Sequence, residues 1–238
     1  ENGDGRIDLS DVEYLMRNKK NTMTLLEGDG DFRSPECVEL LKEADIVVTN
    51  PPFSLFRDYV ALLMQYNKQF AIIGNQNAIT YREIFPLIKS NKIWLGYNNG
   101  HYWFMVPDSY EEKKTDFKID ESGQKWRRMG NICWFTNLDI EKRHEDMTLF
   151  RTYSPDIYPK YDNYDAIEVS KTADIPCDYD GYMGVPITFM QYYNPEQFEI
   201  AGLDDHRVEW VGHGPRLNGK VKYRRVIIRR KQANINEN

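Results

Sequence analysis

The residues Asn50-Pro51-Pro52-Phe53 combine two hydrogen-bond acceptors with an aromatic ring. Because proline has no amide hydrogen, the Asn50 side-chain oxygen and the Pro51 carbonyl have few competing donors nearby. The two prolines fix φ and disfavour helix in the residue before each of them, which makes the loop stiff before anything binds. Phe53 adds a flat face beside the acceptors. Such a loop suits a planar group that carries an NH2.

Two oxygens that hold both amino hydrogens change the reactivity of the nitrogen. They pull it toward a pyramidal geometry, and its lone pair then points away from the ring plane. A nitrogen in that state can attack a methyl group on a sulfonium. Positioning and electrostatics supply most of the catalysis, so no dedicated general base is required. The structural alternative is that these four residues form only a rigid turn after a strand.

The segments around this loop predict strands and helices in alternation from about residue 24. DIVVTN, which runs directly into the loop, is β-branched and apolar on both faces, which is typical of a central parallel strand. The other predicted strands are TMTLLEG, FAIIGN and KIWLGY, and the predicted helices are SPECVELLKEA, SLFRDYVALLMQY and TYREIFPLIKSN. This order predicts an α/β fold with a doubly wound parallel sheet.

The ends of the predicted helices carry their own signals. Ser34 is the expected N-cap of the first helix, and Pro35 occupies its first helical position. Ser54 is expected to cap the second helix, and Pro86 to bend the third. After about residue 97, aromatic, charged and turn residues mix, which predicts a hairpin or an excursion from the sheet before the strand NICWFTNL.

Two loops are expected to converge on one rim of the sheet. Ligands on such sheets bind beyond the carboxyl ends of the strands, and both TNPPF and GDGDF (residues 28–32) lie at such an end. We divide the chain into an N-terminal extension (1–23), a catalytic core (24–150) and a C-terminal extension (151–238).

These motifs resemble a known family. NPPF is the catalytic motif of amino-methyltransferases that use S-adenosylmethionine. GDGDFRSPECVELLKEADIVVTNPPFSLFRDYV, FAIIGNQNAITYREIFPLI, GNICWFTNLD and YPKYDNYDAIEV follow one another as in the EcoRI-type adenine-specific DNA methyltransferases. The resemblance implies a Rossmann-like S-adenosylmethionine-dependent methyltransferase sheet with a C-terminal DNA-recognition extension. It implies methylation of adenine N6 in duplex DNA, with the adenine flipped out of the helix. A cognate restriction endonuclease is compatible with the resemblance, and the sequence leaves that partner open.

The resemblance implies a role for each matching residue of the loop. Asn50 and Pro51 would hold the target N6, and Pro52 belongs to the same catalytic motif. Phe53 would stack on the flipped adenine. A second aromatic side chain, from the strand NICWFTNL, would clamp that base from elsewhere: Phe135 or Trp134.

The resemblance also implies a site for S-adenosylmethionine. Asp31 would accept a hydrogen bond from the amino group of the cofactor's adenine, Phe32 would pack against that ring, and Asn50 would border the same site. Family members carry an upstream strand and loop that hold the methionine part of the cofactor. The 27 residues before Gly28 contain no such loop, so we expect an N-terminally trimmed chain.

The formal net charge of −6 conceals a basic segment near the C-terminus. Residues 207–231 carry nine Lys or Arg residues against one acid, Glu209. Since phosphate binding needs a local patch rather than a basic total, we expect DNA contacts there. The four arginines expected to bind phosphates are Arg224, Arg225, Arg229 and Arg230. The alternative is an edge strand that its cations protect and keep solvated.

The N-terminal stretch ENGDGRIDLSDVEYL resembles part of a calcium loop. Its first ligand is absent, and Asp11 replaces the usual final Glu, so a surface turn is the preferred interpretation and no metal site is predicted. The three cysteines are far apart and show no metal-like spacing, which indicates free thiols in a reducing compartment and hence the cytoplasm.

Two other functions remain open from the sequence. A protein glutamine amide presents the same planar NH2 as adenine, so an NPPF enzyme can also be a glutamine methyltransferase. A DNA-binding fragment with an incomplete methyltransferase scaffold is the second alternative. The basic segment favours DNA over a protein substrate, because a protein substrate does not need a phosphate-binding patch.

Overall fold

The computed structural model describes Tyr14, Arg17 and residues 25–204 and 214–231. The chain divides into two compact units, residues 1–44 and residues 45–238. The N-terminal stretch ENGDGRIDLSDVEYL, for which the sequence favours a surface turn, lies outside the described residues apart from Tyr14. Among the described residues, no helix is long and apolar enough to cross a membrane.

The first unit contains helix α1, Pro35–Glu43. The Ser34 hydroxyl accepts a hydrogen bond from the Cys37 amide at 3.2 Å, which confirms the predicted N-cap. The prediction of a strand over TMTLLEG is wrong for its described residues, 25–28, which form no strand. The amides of Glu27 and Gly28 donate instead to the Glu36 carboxylate, at 2.9 and 3.1 Å.

The second unit begins with a mixed sheet of five strands. These are β1 (Ile46–Thr49), β2 (Gln69–Asn75), β3 (Trp94–Met105), β4 (Phe117–Ile119) and β5 (Lys125–Thr136). The strand order is β1-β2-β5-β3, and β4 pairs with β5. β1 and β2 are parallel, whereas β5 is antiparallel to each of its neighbours.

The prediction of an α/β fold is confirmed, but the prediction of a doubly wound parallel sheet is wrong for the described residues. β5 reaches β2 through a hairpin with β3, and a hairpin reverses the chain direction, so β5 runs against β2. β1 lies at the edge of the described sheet rather than at its centre, and Ile46 and Val48 are exposed.

Two helices connect the first strands. α2 (Phe56–Gln65) follows β1 and α3 (Phe85–Lys89) follows β2. The prediction that Ser54 caps α2 is wrong: a 3-10 helix, Phe53–Leu55, precedes α2, and no side chain caps it. Pro86 lies in the first turn of α3, where its missing amide costs nothing, so it starts that helix instead of bending it. The other 3-10 helices are Gln76–Thr80, Glu141–His144, Thr172–Asp174 and Ile187–Gln191.

A second sheet occupies the C-terminal part of the same unit. Its strands are β6 (Ala166–Glu168), β7 (Tyr182–Val185), β8 (Phe198–Asp204) and β11 (Arg225–Arg230), in the order β6-β7-β11-β8. A short hairpin, β9 (Arg216–Leu217) and β10 (Lys220–Val221), stands apart from this sheet. Helix α3 contacts this second sheet: Lys89 Nζ donates a hydrogen bond of 2.6 Å to the Ala201 carbonyl on β8.

The three cysteines are free thiols, as the sequence predicts. Cys133 is buried on β5, and burial raises the pKa of its thiol to about 12. This thiol therefore remains protonated and packs as a small apolar side chain.

Candidate functional site

The NPPF loop starts where β1 ends. Asn50, Pro51 and Pro52 are irregular, and Phe53 opens the 3-10 helix that leads into α2. The Pro52 carbonyl accepts a hydrogen bond from the Leu55 amide at 2.9 Å, which fixes the exit from the loop. The backbone geometry is therefore set by proline at one end and by a helical turn at the other.

The loop exposes one of its acceptor residues and its ring. Asn50 is exposed and Phe53 is 41% exposed, while Pro51 is buried. Within the described part of the second unit, no residue donates a hydrogen bond to the Asn50 carboxamide or to the Pro51 carbonyl. The exposed Asn50 side-chain oxygen is therefore available to a ligand that carries an amino group, and the Pro51 carbonyl next to it has no donor among those residues.

Phe135 lies in the core, so it cannot be the second aromatic clamp. It is fully buried on β5, and its ring centroid lies 4.9 Å from that of Phe56, the first residue of α2. The rings meet beside Gly74 of β2, where a Cβ would lie 2.5 Å from Phe56 and 2.9 Å from Phe135. This burial corrects the prediction for Phe135. Its ring instead packs against the first residue of the helix that follows the loop.

Trp134 remains a candidate for the clamp. It is half-buried, and alternation along β5 turns it away from the face that Phe135 occupies. A Cβ added to Gly96 of β3 would lie only 2.7 Å from the Cβ of Trp134. The glycine on the neighbouring strand therefore leaves space for the Trp134 side chain. Its role in stacking stays a prediction.

A group of polar residues follows β2, and sequence reasoning did not single it out. The Asn75 side chain accepts a hydrogen bond from the Asn77 amide at 2.9 Å and caps the 3-10 helix Gln76–Thr80. Gln76 is buried, and among the described residues its Nε2 has no hydrogen-bond partner. The signal in the sequence is the polar run NQN at the end of FAIIGN. β2 is the parallel neighbour of β1, so polar residues after β2 lie at the same edge of the sheet as the NPPF loop.

The first unit carries the residues expected to contact the cofactor. Both oxygens of the Asp31 carboxylate accept hydrogen bonds from Arg33, at 2.8 to 3.0 Å. The side-chain hydrogen bond from Arg33 is the main reason that the pKa of Asp31 falls to about 2. The guanidinium of Arg33 also lies 5.3 Å from the centroid of the Phe32 ring. The pair thus offers an ionised acceptor next to an aromatic ring.

Two of the four arginines predicted to bind phosphates are paired with carboxylates. Arg225 donates to Glu168 at 2.6 and 3.2 Å in a buried ion pair. Burial alone would raise the pKa of Glu168, but the hydrogen bonds from Arg225 and Tyr161 lower it below its usual value. Arg229 pairs with Glu199 at 2.7 Å. A carboxylate therefore offsets each of these two charges in the free protein, and the contact of Arg225 and Arg229 with phosphates stays a prediction.

The other two arginines are half-buried. Arg224 donates to the Thr80 hydroxyl at 2.7 Å, and Arg230 donates to the Cys177 carbonyl. Their contact with phosphates remains a prediction. In the same segment, Arg216, Lys220 and Lys222 of the β9–β10 hairpin region are exposed.

Comparison with known proteins decides the family. The family model described as "Adenine-specific methyltransferase EcoRI" matches residues 1–231. The chain belongs to this family. Among curated members, Type II methyltransferase M.EcoRI of Escherichia coli is 52% identical over 213 residues, 86% of this chain. Type II methyltransferase M.MpnI of Mycoplasma pneumoniae is 41% identical over 229 residues, 87% of this chain. No solved structure matches the chain.

The EcoRI-type family assignment confirms the resemblance seen in the sequence. The chain spans 63% of the length of M.EcoRI and 70% of that of M.MpnI. Its mixed sheets and few helices agree with the α/β fold expected of such methyltransferases. Among the described residues, no cluster of His, Cys, Asp or Glu has the geometry of a metal site.

Proposed function

We propose that this protein transfers a methyl group from S-adenosylmethionine to N6 of an adenine that is flipped out of duplex DNA. The observation that carries the proposal is the NPPF loop, with the exposed Asn50 side chain, the Pro51 carbonyl beside it and the exposed Phe53 ring at the carboxyl end of β1. Membership of an adenine-specific methyltransferase family supports the choice of adenine over a glutamine amide.

The residues of the first unit fit the adenine part of S-adenosylmethionine. Asp31 is ionised at neutral pH, and each carboxylate oxygen has more than one lone pair, so it can accept from an amino group while Arg33 holds it. Phe32 offers a ring of matching shape. When bound, this cofactor supplies an electrophilic methyl group on a sulfonium.

The chain itself has to position the amino nitrogen and remove water from it. The Asn50 side-chain oxygen and the Pro51 carbonyl accept the two N6 hydrogens, which leaves the nitrogen lone pair free. Phe53 stacks on the adenine and offsets part of the few kcal/mol that extrusion from the duplex costs. Because both oxygens are fixed before the base arrives, little reorganisation is needed in the transition state.

We propose further that the methylation protects DNA from a cognate restriction endonuclease. The support is that the relatives are named type II methyltransferases. The partner endonuclease would cut the same sequence that this protein methylates, and co-expression with it would test this pairing.

The test is transfer of a labelled methyl group to duplex DNA, with the product nucleoside identified by chromatography. We expect N6-methyladenine. Asn50→Ala should abolish transfer while fold and DNA affinity stay nearly intact, because it removes one of the two acceptors. Ser54→Ala is the matched control, since Ser54 is exposed, lies next to the motif and caps no helix.

Asn50→Asp separates the acceptor from the amide. It keeps an oxygen at the same place, so it should retain more transfer than Asn50→Ala. Transfer by Asn50→Ala within about tenfold of the unaltered chain would refute the mechanism, since loss of a transition-state acceptor costs about a hundredfold or more. Label on a protein glutamine instead of DNA would point to the alternative function.

A further inference from the structure

Gln76 carries a buried hydrogen-bond donor that no described residue satisfies. The residue is only 7% exposed, and among the described residues its Nε2 has no acceptor. In native proteins the large majority of buried polar side-chain atoms have a hydrogen-bond partner, because a buried donor without one costs free energy. An apolar side chain of similar length, such as methionine, would avoid this cost. The unsatisfied donor therefore indicates an acceptor that a ligand supplies.

Gln76 lies close to the NPPF loop in the topology of the sheet. β1 and β2 are parallel neighbours, and Thr49 of β1 pairs with Ile72 of β2. Pro51 follows Thr49 by two residues, and Gln76 follows Ile72 by four. At about 3.3 Å per residue and about 4.8 Å between strands, an extended course to Pro51 and Gln76 puts their backbones about 8 Å apart. One ligand can therefore contact both residues.

The Gln76 side chain starts from the face of β2 that packs against α2. Gly74 lies on this face, since a Cβ added to it would lie 2.5 Å from the ring of Phe56, the first residue of α2. Asn75 is extended, with φ −76° and ψ 134°, so Gln76 returns to the same face as Gly74. The chain reaches α2 from the NPPF loop through the 3-10 helix Phe53–Leu55. The donor is therefore on the side of the sheet along which the chain continues from the loop.

A flipped adenine needs a donor of this kind. In duplex DNA, N1 of adenine accepts a hydrogen bond from thymine, and extrusion of the base removes that donor. Enzymes that flip a base bind it through hydrogen bonds to its Watson–Crick edge, which for adenine consists of N6 and N1. The Asn50 side-chain oxygen and the Pro51 carbonyl are acceptors, so they suit N6 and leave N1 without a partner. A donor from the neighbouring strand would complete this edge.

We propose that Gln76 binds the target adenine by donating a hydrogen bond from Nε2 to N1 of the base. This inference rests on the proposed function and adds to it a residue that recognises the base. The two acceptors of Asn50 and Pro51 and the donor of Gln76 together match the amino group and the ring nitrogen of adenine. Guanine has a carbonyl oxygen and an N1 hydrogen at these positions, so the same three groups oppose it: acceptors meet an acceptor, and the donor meets a donor.

Deaza analogues of adenine test this contact at a single atom. The methylated sequence is first mapped as N6-methyladenine in the DNA of a bacterial host that otherwise lacks it. Duplex oligonucleotides of that sequence then carry adenine, 1-deazaadenine or 7-deazaadenine at the target position, and kcat/KM for methyl transfer is measured. 1-Deazaadenine should lower kcat/KM of the unaltered protein about tenfold or more, because Nε2 of Gln76 loses its acceptor. 7-Deazaadenine should stay within about threefold of adenine, because it keeps N1.

Gln76→Met removes the donor and nearly keeps the length of the side chain. It should lower kcat/KM on adenine about tenfold. 1-Deazaadenine should then cause little further loss, because both changes break the same hydrogen bond. The thermal unfolding temperature of Gln76→Met without DNA should not fall, since Nε2 has no acceptor among the described residues. Asn77→Ala is the matched control: Asn77 is exposed, follows Gln76 in the same 3-10 helix, and should leave the full effect of 1-deazaadenine in place.

Three results would contradict the contact between Gln76 and N1. An unchanged kcat/KM of Gln76→Met on adenine would overturn this inference and leave the proposed function standing. So would a loss on 1-deazaadenine as large for Gln76→Met as for the unaltered protein, since the two changes would then be independent. A lower unfolding temperature of Gln76→Met would also overturn it, because Gln76 would then bond within the protein. Absence of N6-methyladenine with the unaltered protein would overturn the proposed function and this inference together.

Discussion

The rings of Phe56 and Phe135 pack at 4.9 Å between their centroids, with an angle of 59° between their planes. Phe56 opens α2, three residues after Phe53 of the NPPF loop, and Phe135 lies on β5. Gly74 of β2 lies against both rings. The helix that follows the loop is thus fixed to two strands by one aromatic contact, and that contact depends on the absence of a side chain at position 74.

We predict that Gly74→Ala destabilises the protein by about 1–3 kcal/mol, because overpacking forces buried rings off their rotamers. The added Cβ would lie 2.5 Å from Phe56 and 2.9 Å from Phe135. Urea denaturation would measure the change in the free energy of unfolding. Phe56→Leu should recover part of the loss when combined with Gly74→Ala, since the smaller side chain gives way. Simple addition of the two losses in a double-mutant cycle would show that the clash is elsewhere.

A second prediction separates Phe53 from Phe135. Phe53→Ala should weaken binding of the flipped base by about 1–3 kcal/mol, because one stacking surface is lost. The fluorescence of 2-aminopurine at the target position would report the unstacked base. Phe135→Leu should lower stability without changing the 2-aminopurine signal of the complex between the folded protein and DNA. If Phe135→Leu changed the 2-aminopurine signal and Phe53→Ala did not, Phe135 and not Phe53 would contact the flipped base.

Local signals in the sequence were sufficient to predict helix α1 and strand β1. The pairing of strands that are distant in the sequence could not be predicted from such signals. Ser34 and Pro35 start a helix through their own backbone chemistry, and the strand before Asn50 is a run of β-branched residues, so both could be read locally. The direction of β5 depends on the hairpin through residues 106–124, and no local pattern encodes which strand it joins. The burial of Phe135 depends on the absence of a side chain at Gly74, sixty-one residues away.

The basic segment shows the same limit for the site. Residues 207–231 carry nine cations and one acid. This count indicates a positive surface only if no acidic residue from elsewhere in the chain pairs with these cations. Glu168 and Glu199 come from β6 and β8, and the pairing of β11 with β7 and β8 brings them to Arg225 and Arg229. A count of charges along the chain cannot foresee such pairs. The NPPF loop was predictable because its acceptors and its stiffness lie within four consecutive residues.

A third prediction concerns the salt dependence of DNA binding. Lys220→Gln with Lys222→Gln should flatten the slope of log affinity against log salt by about 1–2, because each exposed cation that meets a phosphate releases about one counterion. Arg229→Gln should leave the slope unchanged, because Glu199 already neutralises that charge. Fluorescence anisotropy over a series of salt concentrations would give both slopes. A flatter slope for Arg229→Gln alone would place the phosphate contacts on β11.

A fourth prediction concerns the buried pair of Arg225 and Glu168. Arg225→Met should destabilise the protein by about 3–5 kcal/mol, because it leaves the Glu168 carboxylate buried without its cation. Arg225→Met with Glu168→Gln should recover part of this loss, since no charge then remains. Thermal and urea unfolding would measure both. A double variant no more stable than Arg225→Met would mean that packing, not the unpaired charge, causes the loss.

The last prediction is a pH dependence of stability that passes through His144. Its Nε2 lies 2.8 Å from the Asp139 carboxylate and its Nδ1 lies 3.3 Å from that of Glu196, so it joins the end of the first sheet to the second. Hydrogen bonding to Asp139, and then to Glu196, raises the pKa of His144 above its ordinary value of 6.5. A raised folded-state pKa gives stabilisation that is fully present below the unfolded-state pKa and is lost as the pH rises through the folded-state pKa. Urea denaturation should therefore show that the free energy of unfolding decreases between about pH 6 and about pH 8.5. This decrease should be larger for the unaltered protein than for His144→Gln, because glutamine cannot carry the charge. Equal decreases in the two proteins would mean that His144 does not contribute to the pH dependence.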